Sequence, residues 1–182
     1  MIIGLIGRKG SGKGAVARTL QEAHGAAVYR MSEILRSIAD ELGLPKTRQN
    51  LIQISETART YFGQSVLAHA IAEQIKNDTH DIVVIDGIRR QADLDGFHDL
   101  DMVLVNVTAP LDVRFERIRS RGENDGETTM TREKFEALEN APTEVTIGDI
   151  EGNANVTIEN TGSLDELKNQ IKTVIIEPAR NR

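Results

Sequence analysis

Gly7-Arg8-Lys9-Gly10-Ser11-Gly12-Lys13, near the start of the chain, has the spacing G-x-x-x-x-G-K. The chemistry such a run supports is capture of a polyphosphate. Glycines let the backbone curl until successive N–H groups point at one anion, at the positive end of the helix that follows. The lysine adds a compact positive charge for the terminal phosphates. The cradle therefore spans Gly7, Arg8, Lys9, Gly10, Ser11, Gly12, Lys13, Gly14 and Ala15. A Ser or Thr usually follows the lysine and holds Mg²⁺ through its hydroxyl. Here that position is Gly14, with Ala15 next, and neither side chain can ligate a metal. A second acidic element, Ile82-Val83-Val84-Ile85-Asp86, is an apolar run ending in a carboxylate. That is the form expected of an acid holding hydrated Mg²⁺ beside a phosphate loop. ATP and Mg²⁺ are the ligands these two elements imply, with Asp86 acting through water.

Such groups need a rigid frame. Ile2 to Ile6 reads as a buried strand leading into the cradle, and Lys13 to His24 as a helix with Val16, Leu20 and Ala23 on one face. Further strands are expected over Ala26–Arg30, Ile82–Ile85, Met102–Val107 and Asn155–Glu159. Their apolar residues run continuously rather than alternating, as in a parallel sheet covered by helices on both faces. The expected architecture is one α/β domain over 1–182, three-layered, with a five-stranded parallel sheet. Ser32 to Ala70 holds no strand and reads as a helical insertion. Gly122 to Thr131 is polar and Gly-containing, the composition of a mobile loop, and Thr131 can cap the next helix. Ser163 is placed to cap another, and the polar tail Glu177–Arg182 is expected to fray.

Composition narrows the partners. The chain has 182 residues, 39 % apolar and 27 % charged, enough to form a core. Aromatics are 3 % and Trp is absent, which disfavours base-stacking platforms. With 22 Lys+Arg against 28 Asp+Glu the net charge is −6, which argues against extended nucleic-acid binding. Without Cys, disulfides and thiolate metal sites are excluded. Met1–Ile6 is too short to span a bilayer and lacks the charge order of a secretory signal, so a cytoplasmic protein is expected. The four His residues form no metal-ligand spacing. Composition does not address the oligomeric state.

GRKGSGKG at Gly7–Gly14, MSEILR at Met31–Arg36, VVIDGIRR at Val83–Arg90 and RFERIRSRG at Arg114–Gly122 occur in an order that resembles the P-loop nucleoside-monophosphate kinases. The likeness is closer to an archaeal-type branch near adenylate kinase and dephospho-CoA kinase, and covers nearly the whole chain. Adenylate kinases also carry Gly directly after the loop lysine, though usually Thr next, where this chain has Ala15. The resemblance implies a helical acceptor-binding insertion over 32–64 and a short lid over 121–131. It assigns Arg36 to the acceptor's phosphate, and a second acceptor arginine to Arg89, with Arg90 as the alternative alignment. It lays Arg117 along the donor base, lets Arg121 reach the donor phosphates, and allows Asn160 to touch the base. With Lys13, the arginines Arg89, Arg117 and Arg121 make up the expected catalytic cations.

Helical geometry adds an independent reading of Leu111–Arg121. Leu111, Phe115 and Ile118 share one face, expected to be core, and Arg114, Arg117 and Arg121 form a stripe beside it. Arg119 falls near Glu116 and Asp112, as in a surface ion pair. The expected activity is transfer of the γ-phosphoryl group of ATP to a small phosphorylated acceptor, foremost a nucleoside monophosphate. A hydroxyl kinase of the dephospho-CoA kinase type needs a carboxylate for the hydroxyl proton. At the second strand Tyr29, Arg30 and Met31 offer none, leaving Glu33 as the only nearby carboxylate. A nucleotide-dependent switch or slow ATPase is the third reading, kept open by the missing hydroxyl after Lys13.

Overall fold

The apolar runs pair as one parallel sheet in the order β2-β3-β1-β4-β5, with β1 Ile2–Ile6, β2 Ala27–Arg30, β3 Val83–Asp86, β4 Met102–Thr108 and β5 Val156–Glu159. The computed structural model describes residues 1–122 and 126–180; of Thr143, Ala179 and Arg180 only the backbone is described. The central strand β1 pairs with β3 from Ile2↔Val83 to Leu5↔Asp86. On its other edge it pairs with β4 from Ile2↔Met102 to Ile6↔Asn106. From β1 the chain moves outward to β2, and from β3 it crosses to β4. The crevice at the carboxyl ends of these strands is where such sheets place ligands. Asp86 closes β3 beside Leu5, so its carboxylate sits level with the loop that begins at Gly7.

Helices cover both faces. On one, α1 (Lys13–His24) and α9 (Leu164–Ile171) bury Val16, Leu20, Leu167 and Ile171 against Ile3, Leu5, Val105 and Ile158. On the other, α4 (Val66–Ile75) and α8 (Pro142–Glu151) bring Leu67, Ile71 and Ile150 against Ile6, Ile85 and Leu104. Each fully buried Ile or Leu contributes about 1.5–3 kcal/mol relative to exposure. Between β2 and α4 lie α2 (Met31–Glu41) and α3 (Arg48–Phe62), so the strandless segment is helical as expected.

After β4, α6 (Leu111–Arg121) and α7 (Arg132–Glu139) share a small core of Phe115, Ile118 and Phe135, with Leu111 packed against it. Thr131 caps α7, accepting from the Lys134 amide at 3.3 Å, and Ser163 forms a capping box with Glu166 on α9. In the loop expected to be mobile Glu127 is buried and ion-paired, while residues 123–125 of that loop and of the expected lid lie outside the described residues. One expectation needs correction. The expected frayed tail is instead helical as far as it is described. Lys172–Ile176 forms a π-helical turn that buries Ile175 and Ile176, and α10 (Glu177–Arg180) continues it; Asn181 and Arg182 lie outside the described residues. Among the described residues no helix is long and apolar enough to cross a membrane.

Candidate functional site

The cradle takes its shape from backbone angles and contacts that exclude side chains. Gly7 has φ +138° and Gly12 φ +104°, conformations that L residues rarely adopt. A Cβ at Gly7 would lie 2.2 Å from the Val107 carbonyl oxygen, and one at Gly12 would lie 2.0 Å from Asn160 Nδ2. The loop passes directly into α1 at Lys13. Lys13 Nζ folds back over the bend and donates to the Gly7 carbonyl at 2.5 Å and to that of Arg8 at 3.3 Å. Burial, and then the positive charge of Arg89, lower its pKa to about 8, against the opposing pull of Asp86 and Glu144.

Distant elements brace the loop. Arg114 on α6 donates to the Lys9 carbonyl at 3.2 Å and grips Glu139 with both terminal nitrogens, at 2.8 and 2.6 Å. Glu139 also accepts from Arg8 at 3.3 Å. Burial alone would raise the Glu139 carboxyl, but Arg114 and Arg8 outweigh it and hold it below the usual range. Asn160, at the end of β5, donates to the Ser11 carbonyl at 2.9 Å and accepts from Arg117 at 3.4 Å. Arg117 itself donates to the Ser11 carbonyl at 3.4 Å, and burial lowers its pKa. Arg121 turns to Glu127 at 2.9 Å, and the same carboxylate meets Lys9 Nζ at 3.0 Å. The arginine stripe of α6 is thus divided: Arg114 is a buried brace, while Arg117 and Arg121 line the cleft. Arg119 pairs with Glu116 at 3.8 Å on the surface, as the helical geometry implied.

The opposite wall follows β3. After Asp86 and Gly87 the chain turns, and the buried Asp93 of α5 (Gln91–Asp95) accepts from the amides of Arg89 and Arg90 at 3.0 and 3.2 Å. Asp93 is neutralised by Arg59 of α3 at 2.7 Å; the two side chains are 0 % and 4 % exposed. This buried pair joins the helical segment to the turn that presents both arginines. The Arg89 guanidinium donates to Glu144 of α8 at 3.0 Å, and Arg90 pairs with Glu56. Arg36 lies exposed on α2 along the same cleft, with no ion pair among the described residues. The cleft encloses about 890 Å³ and collects Lys13, Asp86, Arg36, Arg89, Arg90, Arg117 and Arg121. Asn160 braces its floor through the Ser11 contact.

Local patterning singled out Asp86 but missed other carboxylates of the cleft. Besides Glu33 and Asp86, Glu56 and Glu144 also line it. Glu144 sits in the first turn of α8, and its place on the loop comes from packing that no sequence period encodes. Asp86 lies 3.8 Å from Arg30 Nε. Among the described residues no group of three or more His, Asp or Glu side chains could hold a metal ion. A Cβ at Gly14 would meet nothing within 4 Å, so the absence of a hydroxyl there is not imposed by crowding.

A family model described as an AAA domain matches residues 3–141. The UPF0200 protein of Pyrococcus abyssi is 32 % identical over 181 residues, covering 96 % of this chain and 95 % of that protein. The UPF0200 protein of Hyperthermus butylicus is 32 % identical over 176 residues, covering 96 % and 93 %. Among solved structures, TT1252 from Thermus thermophilus superposes with a TM-score of 0.64 at 23 % identity, over 97 % of both chains. Shikimate kinase from Aquifex aeolicus superposes at 0.60 and 17 % identity, over 98 % of both. A gluconokinase from Sinorhizobium meliloti gives 0.62 at 18 % identity, over 98 % of this chain and 93 % of that one. At such identities the three show the fold alone, one shared with a shikimate kinase and a gluconokinase. The chain belongs to the AAA-domain family and, with its archaeal relatives, to the UPF0200 group.

Proposed function

We propose that the protein transfers the γ-phosphoryl group of ATP to a small acceptor that already carries a phosphate, a nucleoside monophosphate being the class its cleft suits best. One observation carries this reading: the glycine cradle with Lys13 shares a single cleft with Arg36, Arg89 and Arg90. A triphosphate in the cradle and a second anion on those arginines would face each other. A phosphate acceptor is already a nucleophilic anion, so its transfer chemistry asks for positioning and charge neutralisation rather than a base.

The roles divide by position. The loop amides and Lys13 hold the donor phosphates, Lys13 leaving the Gly7 carbonyl to do so. Arg117 and Asn160 border the donor base, and Arg121 exchanges Glu127 for the phosphates as the segment 121–131 closes as a lid. Arg36, with Arg89 or Arg90, grips the acceptor within the 32–64 insertion; forked guanidinium groups suit this because two N–H donors meet two oxygens. Asp86 would hold a nucleotide-bound Mg²⁺ through water, and the ion would supply neutralisation of the developing charge. The residues present fit such a hydrated ion, since they offer one carboxylate at the strand end rather than a cage.

A second reading, transfer to a hydroxyl, is favoured by Glu144, a buried carboxylate on the same cleft. The test is ADP release from ATP and Mg²⁺ across a panel of nucleoside monophosphates and hydroxyl acceptors including dephospho-CoA. ADP release that depends on a nucleoside monophosphate supports the first reading, and dependence on a hydroxyl acceptor supports the second. Slow release indifferent to every acceptor would contradict both.

A further inference from the structure

The cradle lies among Lys9, Lys13, Arg89, Arg114 and Arg117, so it concentrates positive charge in a chain whose net charge is −6. Unpaired buried charge is costly, so positive charge gathered this closely calls for a neighbouring anion. The chain supplies one from α8. Glu144 is 2 % exposed; its Oε2 accepts from the Lys9 amide at 3.0 Å, and its Oε1 accepts from the Arg89 guanidinium at 3.0 Å. A loop amide and a fork-shaped cation are the donor pair that a phosphoryl oxygen would recruit. Glu127 and Glu139 also sit on the loop, but on the side chains of Lys9, Arg8 and Arg114. Among these carboxylates Glu144 is the one that takes a cradle amide.

From this we infer that Glu144 is an internal stand-in for the γ-phosphoryl group, a residue that sets the preference between triphosphate and diphosphate. It rests on the reading of Gly7–Ala15 as a triphosphate cradle. Lys9 precedes the bend of Gly10–Lys13, whose amides and lysine are left for the inner phosphates. A triphosphate must expel the carboxylate from Lys9 and Arg89, whereas a diphosphate leaves it in place. Expulsion takes the Glu144 contact from Arg89 as the γ-phosphoryl group arrives, so loading the donor changes what the acceptor-side arginine holds.

Calorimetric titration of ATP and ADP, each with Mg²⁺, into the wild-type protein, Glu144→Gln and Glu144→Ala tests this. Gln keeps an acceptor for the Lys9 amide but removes the charge; Ala removes both. Thermal melts confirm that each variant is folded. ATP should bind about tenfold more tightly to both variants than to wild type, and ADP less than about threefold more tightly, since one charge-assisted contact no longer competes. ATP affinity unchanged or weakened in both variants overturns the inference while leaving the cradle intact. Equal tightening of ATP and ADP overturns the γ-specific placement. Heat from neither nucleotide in any of the three proteins overturns the cradle itself, and the inference with it.

Discussion

Raising the pH from 7 to 9 should weaken ATP binding through Lys13. In the free protein, burial and the neighbouring Arg89 charge lower the Lys13 pKa to about 8. A bound polyphosphate places negative charge on the same ammonium and raises its pKa again. Binding therefore prefers the protonated lysine, and above pH 8 the free protein must take up a proton before it can bind. The sign is fixed: affinity falls as pH rises through the free-state value. The factor lost is one plus ten raised to the difference between pH and pKa, which gives about a tenfold loss between pH 7 and pH 9. Isothermal titration at constant ionic strength measures it directly. Repeating the titration at pH 8 in buffers of different ionisation enthalpy should reveal uptake of about half a proton per ATP. Lys13→Met, which cannot titrate, should bind weakly and lose most of this pH dependence. A wild-type affinity that stays flat across the range, with no proton uptake, would show that Lys13 does not meet the phosphates.

Other substitutions separate the parts of the site. Arg36→Ala should raise the acceptor KM about tenfold or more and leave ATP affinity unchanged; an unaltered acceptor dependence in steady-state kinetics would remove Arg36 from the site. Gly12→Ala places a Cβ 2.0 Å from Asn160 Nδ2 at φ +104°, and should weaken ATP binding at least about tenfold, measured by calorimetry. Arg59→Met leaves the buried Asp93 without its cation and should cost about 3 kcal/mol in urea unfolding; a loss below about 1 kcal/mol would mean that the Arg89–Arg90 turn does not depend on the pair. Gly14→Ser enters open space, so the fold should survive, and half-maximal activity should need less Mg²⁺. An unchanged Mg²⁺ requirement would show that the metal is already held without a hydroxyl.

The sheet and the cradle were legible because their signals are local. A continuous apolar strand, a glycine bend and a helix-opening lysine lie within the first thirteen residues, and each constrains the backbone by its own chemistry. The arginine stripe on α6 was legible only as a stripe. Helical period places Arg114 beside Arg117 but cannot reveal that Glu139, 25 residues later, claims Arg114 as a brace for the loop. Glu144 was invisible for the same reason: its partners Lys9 and Arg89 lie 135 and 55 residues away, joined to it only by tertiary packing. Asn160 could be located at a strand-to-helix turn, yet its bond to the Ser11 carbonyl appears only once β5 takes its place at the sheet edge. Long-range carboxylates and amides escape periodicity because they obey complementarity of charge and shape, which has no period.

A crystal structure of the protein with a non-hydrolysable ATP analogue and Mg²⁺ asks most directly whether the bend after β1 is a phosphate cradle. The expected result is phosphate oxygens on the amides of Gly10–Lys13, with Lys13 Nζ moved from the Gly7 carbonyl onto the polyphosphate. Nucleotide density anywhere else, with that bend vacant and Lys13 still on Gly7, would contradict it.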